Sequence, residues 1–371
     1  MSQTQAAFAY FNRAANFYRQ VCYAQAIQYY LAGLEIDPMC VEAYVDLAKA
    51  YEKLGCWNEA IESLEVALQL RPGYPTALRR KQRILEEKNV YDSLTDELNL
   101  ALDAIDQHQL PNAVQVEHSR NGGSIPKIEH KLFTLTYECT IPQKLLSVLS
   151  QLVEHTYHEV GKVFQCYPQH KVPIFIEAAD QATASQNAKS PIGVVAHALS
   201  SGTSLPQWAV ACYDNGSIRL TYRPYSDSSI GVLYAVLRHE WTHLLVDLLT
   251  EGRCPKWLDE GLAQFMARPL MHSEKTLLQQ ASRDRHLLPL HTLQKPFRGL
   301  PKEQRRLAYL QSYAITKYLI QQFSVSALCD VLKHLGDEKS TDTAFQETFG
   351  KTEEEIVFAS SAENYMIVWE D

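Results

Sequence analysis

No apolar run in this 371-residue chain reaches the ~18 residues needed to cross a bilayer as a helix, so a membrane location is not expected. The first twenty residues also lack the basic start, apolar block and cleavage site of a secretory signal. Eight cysteines are scattered at 22, 40, 56, 139, 166, 212, 254 and 329 with no C-x-x-C among them, which excludes a disulfide framework or a cysteine-rich zinc site. They are expected as small buried apolar residues in a reducing compartment, and the expected location is the cytoplasm. A formal net charge of -8 leaves no basic footprint for nucleic acid. What remains is an ordinary soluble composition, 46% hydrophobic and 21% charged, with length enough for roughly two to three domains.

The N-terminal segment repeats itself with a period of 34. Tyr10, Ala14, Phe17, Cys22, Ala26, Ile27, Gly33 and Pro38 are matched by Tyr44, Ala48, Tyr51, Cys56, Ala60, Ile61, Ala67 and Pro72. This resembles the tetratricopeptide pattern. Small residues let paired helices approach, aromatics fill between them, and proline ends each unit. A solvating helix is expected at about Pro75 to Lys88. Two units are fewer than the roughly three usually needed for independent stability. Either the capping helix suffices, or the array packs on itself, on a second chain to give a homodimer, or on the remainder of the chain. Repeats of this kind bind proteins in a concave groove, or else only space or dimerise the chain.

Chemistry concentrates further along. Residues Val236 to Val246 read V-L-R-H-E-W-T-H-L-L-V. On a helix, His239 and His243 leave the same face one turn apart and can share one metal ion, with Glu240 beside it to take a proton from metal-bound water. From Gly231 to Leu249 there is no proline or internal glycine, and Val232, Leu233, Val236, Leu237, Leu244, Leu245, Leu248 and Leu249 make the segment apolar nearly all round. A buried helix is expected there. Two histidines and a glutamate inside it would be costly to desolvate unless something satisfied them, and a metal would.

Two histidines leave zinc short of the usual three protein ligands. Glu260, in W-L-D-E-G-L-A at Trp257 to Ala263, is the candidate third, on a second helix expected over Trp257 to Arg268. Gly261 after it would let another backbone come close. Alternatively Glu260 is a solvated helix glutamate, and Asp247 and Asp259 are rival ligands. Asp247, one turn beyond His243, suits orienting an imidazole from behind. Asp259 would point about 100° from Glu260, so only one of the two is expected to face the site.

H-E-W-T-H followed by P-K-W-L-D-E-G-L-A is similar to the gluzincin metallopeptidases, in the group called peptidase MA-like. Val246 and Leu249 stand where the metzincin pattern would need Gly and His. The likeness extends to Ile128–Glu138, Val172–Ile176 and Ala211–Leu220, which resemble strands ahead of the zinc helix, and to Leu307–Ile320, which resembles a later helix. Two departures accompany it: a short gap between His243 and Glu260, and Gln264 where some members carry an aspartate.

The resemblance implies an α+β zincin-like metallopeptidase domain at 128–371, joined through a linker at 107–127 to all-α tetratricopeptide helical hairpins with their capping helix at 1–106. It implies one Zn2+ per chain on His239, His243 and Glu260. Glu240 would accept a proton from zinc-bound water, whose pKa falls from ~15.7 toward ~7, and return it to the leaving amine. Tyr309 and Tyr313 are implied oxyanion donors, though an aromatic on an amphipathic helix also serves as core. Tyr213–Tyr222 is expected to be extended, with a tight turn at Asp214-Asn215-Gly216 and an edge for extended substrate. Arg219 is either a reader of a substrate carboxylate or a solvated surface residue, and His155 and His158 are ordinary helix residues. The expected partners are a peptide or protein substrate and a protein recruited by the repeats. The alternative is a non-catalytic repeat scaffold carrying a remnant zincin-like domain.

Overall fold

A computed structural model describes residues 3–106, 115–117, 126–138, 141, 143–178, 209–222 and 230–362. They fall into two compact units, one centred on the helices up to Thr95 and the other on the strands and helices from Asp96 onward.

The first unit follows the 34-residue period. Helices α1 (Gln3–Arg19) and α2 (Tyr23–Ile36) pair, as do α3 (Val41–Leu54) and α4 (Trp57–Leu70), and α2 packs on α3. The small residues that the pattern places between helices, Ala14, Ala26, Ala48 and Ala60, are fully buried. Gly33 is needed for the same reason, since a Cβ there would lie 2.4 Å from the Phe11 ring. The capping helix runs much further than Lys88: α5 spans Pro75–Asp106. Tyr91, Leu94 and Leu98 continue its apolar stripe, and Tyr91 stacks on Trp57 with ring centroids 5.4 Å apart. At its other end Arg80 and Arg83 both reach the buried Glu52 of α3.

The second unit contains a six-stranded sheet of order β1-β2-β3-β4-β6-β5. Strand β1 (Gln115–Glu117) lies inside the stretch expected to be a linker, where three residues are too few to show an alternation. Strands β2 (Lys127–Glu129) and β3 (Phe133–Tyr137) form an antiparallel hairpin rather than one continuous strand. The helix α6 (Gln143–Phe164) then crosses over to β4 (Val172–Ala178), parallel to β3 with Leu135 opposite Ile174. Phe133, Leu135, Tyr137, Val172, Ile174 and Ile176 are all buried from that parallel pair, and Leu146, Leu152, Val153 and Phe164 are buried from α6. Strands β5 (Ala209–Asp214) and β6 (Ser217–Tyr222) are joined by Asn215 and Gly216, at φ 45° and 81°, which is the backbone a two-residue hairpin turn demands. Residues 179–208 lie outside the described residues.

The remaining elements are helical. Helix α7 (Ile230–Thr250) carries H-E-W-T-H and is buried continuously from His239 to Val246, then emerges at Leu248, which is half exposed rather than part of an apolar sleeve. Helix α8 (Lys256–Ala267) carries W-L-D-E-G-L-A. After α9 (His272–Arg283), the segment around Pro289 and Pro296 contains the short helix α10 (Leu290–Leu293) and a 3-10 turn at Phe297–Gly299, both starting on a proline and burying Leu293 and Phe297. The long α11 (Lys302–Phe323) packs along α8 and is followed by α12 (Val325–Gly336), α13 (Thr341–Phe349) and α14 (Glu353–Ala362).

Candidate metal centre

Helices α7 and α8 bring three side chains to one point. His239 Nε2 and His243 Nε2 are 3.1 Å apart, as the four-residue spacing requires, and Glu260 Oε2 lies 3.8 Å from the first and 3.6 Å from the second. All three residues are buried, and their donor atoms lie within 4.8 Å of one another. Glu260 Oε2 has no hydrogen-bond partner among the described residues, a costly condition for a buried carboxylate oxygen. Two imidazole nitrogens and one carboxylate oxygen, converging and buried, suit zinc in type and number.

The close approach of α8 to α11 rests on Gly261. A Cβ at this position would meet Thr316 Oγ1 at 2.1 Å and the Ser312 carbonyl oxygen at 2.5 Å, so only glycine fits beside Glu260. From the other side, the buried Trp257 indole donates to Glu353 of α14, whose second oxygen accepts from Gln294 at 2.8 Å.

The carboxylates behind the centre differ from expectation in two respects. Asp259, not Asp247, orients an imidazole: its Oδ1 lies 2.6 Å from His243 Nδ1. Asp247 instead accepts from the Tyr213 hydroxyl, which also accepts from the Gly216 amide at 3.1 Å. Nor do Asp259 and Glu260 exclude one another. They reach the same imidazole through opposite ring nitrogens. Lys256, which the sequence reading passed over, touches both, with Nζ 2.8 Å from Asp259 Oδ2 and 2.9 Å from Glu260 Oε1. Its position three and four residues ahead of them is a helical-face spacing that could have revealed it.

The electrostatics follow from burial and these contacts. Burial, reinforced by the neighbouring His243, holds the His239 imidazole neutral, well below its usual range. Burial also disfavours charge on His243, but Asp259 and then Glu260 outweigh it and push that imidazole up to about 9. Burial opposes ionisation of Asp259, yet His243 and Lys256 overcome it and hold its carboxyl below the ordinary carboxylate range. Glu240 is also buried, which raises its carboxyl to about 7 against the pull of His243 and of the Tyr213 amide. That amide donates to Glu240 Oε2 at 2.7 Å, while Oε1 has no partner among the described residues. No feature of the sequence announces this backbone contact from β5.

The two tyrosines of α11 part company. Tyr313 packs into an apolar cluster with Leu270, Leu278, Leu310 and Ala314, beside Phe265. Tyr309 lies edge-on to Phe297, and its hydroxyl is raised by burial and then by the charge of Glu260. Arg219 pairs with Glu177 at 2.9 Å and lies over the Phe175 ring, a cross-strand surface contact. His155 hydrogen-bonds the Tyr234 hydroxyl at 3.1 Å, away from any metal-ligand cluster among the described residues. No described helix is long and apolar enough to cross a membrane.

Residues 209–356 match the Peptidase MA superfamily, and residues 41–74 match the tetratricopeptide repeat. Sperm-associated antigen 1 of Rattus norvegicus is 33% identical over 98 residues, 26% of this chain and 11% of that protein. Its counterparts in Mus musculus and Homo sapiens are each 31% identical over 99 residues, 27% of this chain and again 11% of theirs. The chain thus spans about a tenth of the length of these relatives. It carries a tetratricopeptide repeat followed by a Peptidase MA superfamily domain, in that order.

Proposed function

We propose that the chain is a zinc-dependent peptidase of the gluzincin type, with His239, His243 and Glu260 holding the metal and Glu240 handling the proton. The observation that carries the reading is the unpartnered Glu260 Oε2 facing two Nε2 atoms in a buried centre. A zinc ion held there supplies Lewis acidity, which polarises an amide carbonyl and acidifies water.

The chain's own groups do the rest. Glu240 is anchored through Oε2 by the Tyr213 amide, so Oε1 is the atom that takes a proton and returns it to the leaving amine. Asp259 fixes the His243 tautomer with Nε2 toward the metal. Tyr309 is the candidate donor to the developing oxyanion, carried on α11, which packs along the helix of Glu260. We assign the repeats, residues 1–106, to recruiting a protein substrate or adaptor, and residues 128–371 to hydrolysis, with 107–127 joining them. The seven described cysteines are all free thiols, which favours a reducing cytoplasm.

The test is elemental analysis of purified wild type beside His239→Ala and Glu260→Ala, followed by peptide-library turnover with Glu240→Gln as control. The expected result is about one zinc per chain in wild type, loss in both ligand variants, and hydrolysis that Glu240→Gln abolishes while keeping zinc. A wild type that takes no metal when zinc is supplied would leave the repeats as the working part of the protein.

A further inference from the structure

Lys256 opens α8, and its ammonium is shared between two carboxylates that have different tasks. Nζ lies 2.8 Å from Asp259 Oδ2 and 2.9 Å from Glu260 Oε1. In each carboxylate the oxygen left over points into the centre: Asp259 Oδ1 is 2.6 Å from His243 Nδ1, and Glu260 Oε2 faces both Nε2 atoms with no hydrogen-bond partner among the described residues. We infer that Lys256 is a positioning residue of the metal centre, one that fixes Glu260 as a single-oxygen ligand and Asp259 as the anchor of the imidazole. The inference rests on the metal site proposed above.

The physical case begins with the two carboxylates. Adjacent on one helical turn and largely buried, they repel each other and are costly to keep ionised without a cation between them. Lys256 satisfies that need through Asp259 Oδ2 and Glu260 Oε1, which leaves Asp259 Oδ1 and Glu260 Oε2 free. The lysine side chain is 32% exposed, but its partners are 18% and 7% exposed, so this is not the solvated pair whose contribution averages near zero. A purely electrostatic view makes the opposite forecast. A cation close to a bound dication repels it, and deleting the lysine should then tighten metal binding. Positioning and repulsion therefore differ in sign.

The experiment is zinc titration of the metal-stripped full-length chain against a chromophoric chelator, for wild type, Lys256→Met, Lys256→Gln and Lys256→Arg. Visible spectra of the cobalt-substituted proteins are recorded alongside. We expect zinc affinity to fall about 10–100-fold in Lys256→Met and Lys256→Gln, the range for groups that hold metal ligands in place, and to recover most of the way in Lys256→Arg. The cobalt bands should change shape in the Met and Gln variants, because Glu260 no longer presents one oxygen. If Lys256→Met does not fold, the comparison of Gln with Arg carries the test. Unchanged or tighter binding in the variants that fold, even with a lowered melting temperature, overturns the role of Lys256 and leaves the metal site standing. Failure of wild type to bind zinc overturns the site itself.

Discussion

Asp259 Oδ1 lies 2.6 Å from His243 Nδ1, so a residue adjacent in sequence to one proposed metal ligand holds the ring of another. Spacing along α7 nominates Asp247 for that task, and Asp247 is engaged with Tyr213. Asp259→Ala should weaken zinc about 10–100-fold, the usual cost of losing a ligand's hydrogen-bonded carboxylate. Asp247→Ala should leave zinc affinity close to wild type. Chelator competition on the two variants side by side decides between them, and equal losses would contradict the assignment.

Gly261→Ala should destabilise the protein by about 1–3 kcal/mol, as overpacking does when the obstacle is backbone. The Ser312 carbonyl, at 2.5 Å from the new Cβ, cannot rotate aside as a flexible side chain would. Because α8 would have to move away from α11, zinc affinity should drop in the same variant. Urea unfolding and zinc titration together check both, and a fully stable variant would show that α8 can slide without cost.

Burial lowers the pKa of His155, with Arg238 adding to that effect and Glu159 and Glu97 opposing it. A folded value below the unfolded ~6.5 means that this residue favours folding fully above pH ~6.5 and that the benefit is lost as the pH falls through the folded value. Unfolding free energy should therefore decline on acidification below neutrality, and His155→Asn should flatten part of that decline. The charged and titratable groups around it are His158 and Glu159 on its own helix, Tyr234 and Arg238 on α7, and Glu97 on α5. Denaturant curves at a series of pH values provide the measurement, and an identical slope in the variant would refute it.

Glu353 accepts from both Trp257 and Gln294 while buried itself. Glu353→Ala strands the buried Trp257 indole, at a cost of about 1–3 kcal/mol, while the exposed Gln294 amide turns to water. Glu353→Gln, which keeps the shape and one acceptor, should lose less. Thermal melts of the two variants rank them, and the reverse order would remove this anchor from the account.

The repeats and both motif helices were legible because each is written in local terms: a 34-residue period, a four-residue histidine spacing, an apolar stripe. The longer reach of α5 was legible too, in Tyr91, Leu94 and Leu98, but asked for the stripe to be followed past Lys88. What could not be read were contacts made between elements. Tyr213 meets Glu240 through a backbone amide, which leaves no mark on residue identity. Asp259 and Glu260 point apart around a helix axis, yet His243 has two nitrogens, and both carboxylates find it. Tyr313 and Tyr309 share one helix and one residue type, so their different surroundings, an apolar cluster for the first and the edge of Phe297 for the second, left no mark in the sequence.

Strand β5 ends the sheet, and one of its amides is already committed inward, from Tyr213 to Glu240. A backbone mimic laid along that edge meets a donor in competition. To pair with the Tyr213 N–H it must release a carboxylate oxygen, which lets Glu240 swing. If the proposed peptidase reading holds, ligands built for this edge gain by leaving that amide alone and spending their hydrogen bonds on its neighbours.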